Sequence, residues 1–227
     1  MSFGLIWERF LMSTYENGIS TRRAIIDACT ILFYKRGFHE TSYDDICQEA
    51  HVNRGSIYYH FREKENIRYE ILWEYITRMK RIAERYCAQS EYLYILVAYM
   101  MFSLTKTDCQ IRKFHYDFFT DYSIYAGQAD STRFYAVLYN KMWEPFYKRS
   151  MISDLAFATV YGYIASCVRM LCEHPDKYDP FELFELCTYS SIAIWGIPKD
   201  KIDMIRADIR YYIAQIPEEE IKLRIDC

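Results

Sequence analysis

Within the nine residues NRGSIYYHF, positions 53–61, Arg54, Gly55, Ser56, Tyr58, Tyr59 and His60 supply a guanidinium, three hydroxyls and an imidazole around a residue with no side chain. These are the groups that hydrogen-bond base edges and phosphates: an arginine forks onto two acceptors, and hydroxyls and imidazoles donate singly. A helix advances about 100° per residue, which puts Ile57 and Phe61 on one face and Gly55, Ser56 and Tyr59 nearly opposite, flanked by Tyr58 and His60. The pattern predicts a short helix pinned to a small core by two apolar residues, its polar and aromatic groups turned to a partner.

Elements able to hold such a helix precede it. Ile25, Ala28, Cys29, Leu32 and Phe33 recur with the spacing of an amphipathic helix over Thr21–Gly37, and Gly37 suits a left-handed helix end. Ser42 and Asp45 form a capping-box start for a second helix that turns Ile46 and Ala50 inward. A turn, HVN, follows, and Asn53 can cap the third helix. A fourth is predicted over about 64–88, with Ile67, Ile71, Tyr75, Met79, Ile82 and Tyr86 on one side. Two helices of about eight residues joined by a tight turn are a helix-turn-helix, whose second helix enters the DNA major groove.

The stretch TRRAIIDACTILFYKRGFHETSYDDICQEAHVNRGSIYYHFREKENI, about 47 residues, resembles the DNA-binding domain of the tetracycline-repressor (TetR) family of bacterial transcriptional regulators. The resemblance rests on LF..RGF, TS..DI..EA and V..G.IYYHF..KE in that order. It implies that Arg54, Gly55, Ser56, Tyr58, Tyr59 and His60 face DNA and that Lys64 touches a phosphate. Thr21 and Arg22 are expected to clamp another phosphate at the start of the first helix. Gly55 is expected to let the backbone approach closely. Three positions depart from the family pattern: His51 replaces a turn glycine, Glu63 replaces a small polar cap, and Asp44 lies near the phosphate surface, which argues against its own contact with DNA.

The chain has 227 residues, a formal net charge of −3, and 52% hydrophobic and 26% charged residues, the make-up of a soluble globular protein. From Ser20 to Glu65, Lys or Arg at 22, 23, 35, 36, 54, 62 and 64 balance Asp or Glu at 27, 40, 44, 45, 49, 63 and 65. DNA affinity must then come from a few placed contacts, with a modest salt dependence. The eight cysteines include no CxxC pair and read as reduced thiols of a cytoplasmic protein. The longest uncharged runs, 92–105 and 155–168, fall short of the roughly 20 residues that span a bilayer, so no membrane partner is expected. The opening MSFGLIWERFLM lacks the features of a secretory signal. Its Trp7-Glu8-Arg9 can be encoded by a purine-rich tract ahead of Met12, so it reads either as a translated ribosome-binding site with a start at Met12 or as a lead-in helix.

All five prolines lie from Pro145 onward and glycines are few, which favours long helices. The fold expected is all-α: an N-terminal extension (1–19), a three-helix DNA-binding domain with the helix-turn-helix (20–66), and a larger C-terminal helical bundle (67–227). The resemblance implies that the bundle binds a small effector and forms a homodimer, through helices near 154–172 and 180–195, that reads a near-palindromic double-stranded operator. Aromatic residues are 18% of the chain, and Tyr99, Phe102, Phe118, Tyr122, Tyr139 and Trp143 are candidate contacts for a planar aromatic or cationic effector. His115, Asp117 and Asp121 make a poor metal set, and no nucleophile elbow or phosphate loop is present. No enzyme activity and no cofactor are expected. A helical protein-binding adaptor and a TetR-like activator are the alternatives to a repressor.

Overall fold

The computed structural model describes residues 3–120, 154–194 and 196–222, with side chains over 18–119, 162–194 and 196–222. The described residues are helical, with no strand among them. The chain divides into two compact units between Tyr75 and Ile76.

The first unit begins with α1 (Phe3–Arg36), followed by α2 (Tyr43–Ala50), α3 (Arg54–His60) and the start of α4 (Lys64–Tyr86). The expected core face of α1 is in place: Ile25, Ala28, Cys29, Leu32 and Phe33 are all buried. Gly37, at φ 96°, ends the helix and donates its N–H to the Phe33 carbonyl at 3.0 Å. The helix does not begin near Thr21, however, but runs unbroken from Phe3. Gly18 lies inside it, where glycine costs about 1 kcal/mol relative to alanine. A ring carbon of His60 stands 3.9 Å from where a Cβ on Gly18 would be.

Ile46 on α2, Ile57 on α3 and Ile67 on α4 are each wholly buried, and Phe38 and Phe61 nearly so. Each such side chain contributes roughly 1.5–3 kcal/mol through burial. The apolar side of α4 in this unit is Ile67, Leu72 and Tyr75, while Ile71 is only half-buried.

In the second unit, α5 (Leu93–Thr107) packs against α6 (Cys109–Thr120) and α8 (Pro180–Ile194), and α7 (Asp154–Glu173) packs against α6 and α8. Among the described residues the other α-helices here are α9 (Lys199–Ile213), against α5 and α8, and the short α10 (Glu218–Ile221). The core is built from Ile95, Leu96, Met100, Phe118, Leu171, Phe184, Ile192 and Ile209. At its margin, Arg210 donates from Nε and Nη2 to the two Glu185 oxygens at 2.7 and 2.6 Å, a fork that fastens α9 to α8. No helix of the described residues is long and apolar enough to cross a membrane.

Every described cysteine is a free thiol. Cys29, Cys87, Cys167 and Cys187 are buried, whereas Cys109, at the start of α6, is exposed. Burial pushes the Cys29 and Cys172 thiols up to about 12.

Candidate nucleic-acid interface

The interface is assembled by local rules the sequence states openly. Ser42 caps α2: its hydroxyl accepts from the Asp45 N–H at 3.1 Å, and Asp45 accepts from the Ser42 N–H at 2.9 Å. Hydrogen bonds from the Ser42 hydroxyl and amide, reinforced by Arg36 at 2.8 Å, hold the Asp45 carboxyl below its ordinary range. At the other end His51 takes the left-handed conformation, φ 54° and ψ 42°, and the next N–H, of Val52, returns to the Cys47 carbonyl at 3.1 Å. The turn thus survives without glycine, at the backbone cost a β-carbon brings there.

Asn53 then caps α3, its side-chain oxygen accepting from the Ser56 N–H at 2.9 Å and the Ser56 hydroxyl at 3.2 Å. A Cβ on Gly55 would come within 3.1 Å of that same oxygen. Room for the cap is a second reason for glycine here, beside the close approach expected from sequence. Ile57 and Phe61 pin the helix inward. Facing out are Tyr59, 84% exposed, Tyr58, 50% exposed, and Arg54. Ser56 and His60 are half-buried at its edges, with the His60 ring edge-on to Tyr59 at 4.9 Å.

Of the residues expected at phosphates, Arg22 and Lys64 have partners within the chain, and Thr21 and Arg22 do not stand at a helix start. Thr21 and Arg22 lie in the interior of α1, where backbone N–H groups bond carbonyls four residues back, so no helix N-terminus exists there to hold an anion. Arg22 instead donates to Glu70 at 2.6 Å, with its guanidinium 5.0 Å from the Phe61 ring centre. Lys64 turns inward: its ammonium donates to the Phe38 and Thr41 carbonyls at 2.8 and 2.7 Å and stands 4.4 Å from the Phe38 ring centre, with Arg68 at 4.0 Å from the same ring. Burial lowers the Lys64 ammonium from its ordinary value. Its backbone N–H donates to the Tyr43 hydroxyl at 3.1 Å. The position departing from the family at Glu63 is repaired by Asn66, whose side chain accepts the Glu63 N–H at 3.0 Å.

Sequence reasoning missed Tyr43 and the role of Asp44. The Tyr43 ring lies 5.3 Å from the Tyr58 ring and 5.7 Å from the Arg54 guanidinium. Asp44 accepts from Arg54 Nη2 at 3.0 Å. The signal was present as an acid and a base ten residues apart across a tight turn.

In the second unit the described candidate effector contacts, Tyr99, Phe102 and Phe118, lie beside other aromatic rings. Tyr99 is half-buried, its ring 5.7 and 6.1 Å from those of Phe184 and Phe181; Phe102 is buried 6.4 Å from Phe184. Phe118 is wholly buried and stacks on Phe114 at 6.1 Å. Tyr122, Tyr139 and Trp143 lie outside the described residues, as do Asp121 and Pro145. Among the described residues no group of three ligating side chains could hold a metal. His115 is buried, with Nδ1 2.7 Å from the Thr105 hydroxyl, and burial pushes its imidazole down to about 3, so it is neutral at physiological pH. Since that hydroxyl also donates to the Met101 carbonyl at 2.8 Å, the tautomer that satisfies both bonds carries its proton on Nδ1.

Residues 25–71 match the model of bacterial regulatory proteins of the tetR family. Among curated proteins, the transcriptional regulator TtgR of Pseudomonas putida is 44% identical over 54 residues, 24% of this chain and 26% of that one. AcrR of Shigella flexneri is 39% identical over 61 residues, 27% of this chain and 28% of that one. The matched stretch therefore spans about a quarter of these relatives' length. Over a larger extent only the fold is shared. The RolR complex with resorcinol aligns with 90% of this chain and 98% of its own at TM-score 0.54 and 14% identity. Thermus thermophilus FadR, a TetR-family repressor in complex with lauroyl-CoA, aligns with 75% of this chain and 93% of its own at TM-score 0.51 and 16% identity. The helix-turn-helix unit, residues 25–71, is thus similar to that of the tetR family of bacterial regulatory proteins.

Proposed function

We propose that the protein is a cytoplasmic, ligand-responsive repressor of transcription that binds a near-palindromic operator as a homodimer and is released by a small effector. The observation that carries this reading is α3: a helix pinned by Ile57 and Phe61 that presents Arg54, Tyr58 and Tyr59 to solvent. A two-fold dimer would offer two such helices to two half-sites. Apolar side chains left exposed on α7 and α8, namely Met170, Leu186 and Ile194, are the surface a second copy would cover. The fold neighbours were solved with small molecules, resorcinol in one and lauroyl-CoA in the other, which supports an effector role for the bundle. Resorcinol is the planar aromatic type that the tyrosine content suggests. Effector binding would act by favouring the dimer geometry that fits DNA less well, to the extent of its preference for that state.

The test is selection of bound duplexes from a random pool, then the same binding measured with Arg54→Ala and Tyr59→Ala combined. A loss of about 100-fold or more in operator affinity is expected, since good base and phosphate contacts are worth about 1–3 kcal/mol each, with the dimer mass unchanged. Operator affinity that survives the double substitution overturns the assignment of the reading helix. Compounds that release the selected duplex then identify the effector class; a compound that tightens binding would make the protein an activator or a co-repressed regulator.

A further inference from the structure

We infer that Asp44 sets the DNA specificity of this protein: it holds the Arg54 guanidinium toward base edges and opposes the contact of that cation with phosphates. The inference rests on the reading of α3 as the major-groove helix.

Three observations support it. First, Arg54 is constrained on two sides, by Asp44 Oδ1 at 3.0 Å from Nη2 and by the Tyr43 ring at 5.7 Å from the guanidinium carbon. Second, the Tyr43 shelf is itself fixed. Its hydroxyl accepts the Lys64 N–H, its ring meets Tyr58, and the Lys64 ammonium is bound to two carbonyls of the α1–α2 connection. Third, the ion pair stands in solvent, the Arg54 side chain 53% exposed and that of Asp44 84%. Exposed pairs contribute little to folding, so the fold does not depend on this one. Yet an exposed carboxylate beside the reading helix of a polyanion-binding protein costs affinity through like-charge repulsion.

That cost falls unequally on the contacts Arg54 could make. A phosphate approaching Arg54 carries a full negative charge to within reach of Asp44 and is repelled. A guanine edge offers the neutral acceptors O6 and N7 and is not. Asp44 therefore weakens Arg54 as a non-specific phosphate clamp and leaves it competent as a base reader. It is a positioning residue that acts through Arg54 and needs no contact with DNA of its own.

The experiment measures affinity for the selected operator and for a scrambled duplex across a salt series, using the full-length wild type, Asp44→Asn, Asp44→Glu, Arg54→Ala and the Arg54→Ala/Asp44→Asn double variant. In Asp44→Asn, binding to the scrambled duplex should tighten about 3- to 10-fold, and its log–log salt slope should steepen by about one per subunit as Arg54 gains a phosphate. Operator affinity should change less, so the specificity ratio falls. Asp44→Glu should restore the ratio, and Asp44→Asn should have no further effect once Arg54 is alanine. An Asp44→Asn variant with the wild-type ratio and slope overturns the inference. So does an effect of equal size in the Arg54→Ala background, which would be a general charge effect. A wild type that prefers no duplex defeats the repressor reading as well; a selective wild type with an indifferent Asp44→Asn variant defeats this inference alone.

Discussion

In the helix-turn-helix unit Tyr58 and Tyr59 stand on the outer face of a seven-residue helix, whereas in the bundle Tyr92 and Tyr189 are buried and burial raises their phenols above the ordinary value. Tyr92 spends its hydroxyl on Asp208 at 2.7 Å, fastening the start of α5 to α9. The same residue type is thus a presented donor in one unit and a structural strut in the other. What decides between them is the apolar residue beside each tyrosine: Ile57 takes the inward position of α3, so its neighbours must face water. In the bundle helices, apolar on most sides, the tyrosine itself is turned inward.

If pinning and presenting are separate duties on α3, they should separate by substitution. Ile57→Ala should destabilise the protein by about 2–4 kcal/mol, the cost of a cavity at a wholly buried site. Tyr59→Ala should change stability by less than about 0.5 kcal/mol. Urea unfolding followed by circular dichroism distinguishes them; a large loss with Tyr59→Ala would show that the presented face is also structural.

A second contrast concerns titration in the bundle core. His115 has a folded-state value of about 3 against an ordinary 6.5, so the unfolded chain binds more protons between those values. Its contribution to stability is complete above pH 6.5 and is lost as pH falls from there toward 3. The slope is at most about 1.4 kcal/mol per pH unit once the unfolded imidazole is protonated. Unfolding free energies measured from pH 7 to pH 4 should fall more steeply in the wild type than in His115→Gln; equal slopes would place the imidazole in contact with water.

A smaller gain than the loss at Ile57 is expected at the turn. His51→Gly should stabilise the protein by about 0.5–1 kcal/mol, because glycine relieves the left-handed strain but gives back part of the gain as unfolded-state entropy. Thermal melts of the two proteins decide the sign.

The helix-turn-helix was legible because each of its devices is local. The Ser42–Asp45 box, the Asn53 cap, and the pins Ile57 and Phe61 act over three or four residues, so spacing alone exposes them. What could not be read was the direction of long side chains whose partners lie far along the chain. Arg22 pairs with Glu70, 48 residues away, and Lys64 with carbonyls 23 and 26 residues away, choices made by tertiary packing. The unbroken α1 was not legible because the regular apolar spacing starts only at Ile25, while helix continuity is a matter of the whole segment. Aromatic composition could not distinguish a ligand cavity from a packed core. Tyr99, Phe102 and Phe118 satisfy the spacing of either.

The distribution of thiols also matters for handling the molecule. With Cys29 and Cys172 held at about 12, almost none of either is ionised near neutrality, while Cys109 stands in solvent at the first turn of α6. Nature has left a chemical handle on the bundle, through which a fluorophore could watch α6 without any engineered cysteine.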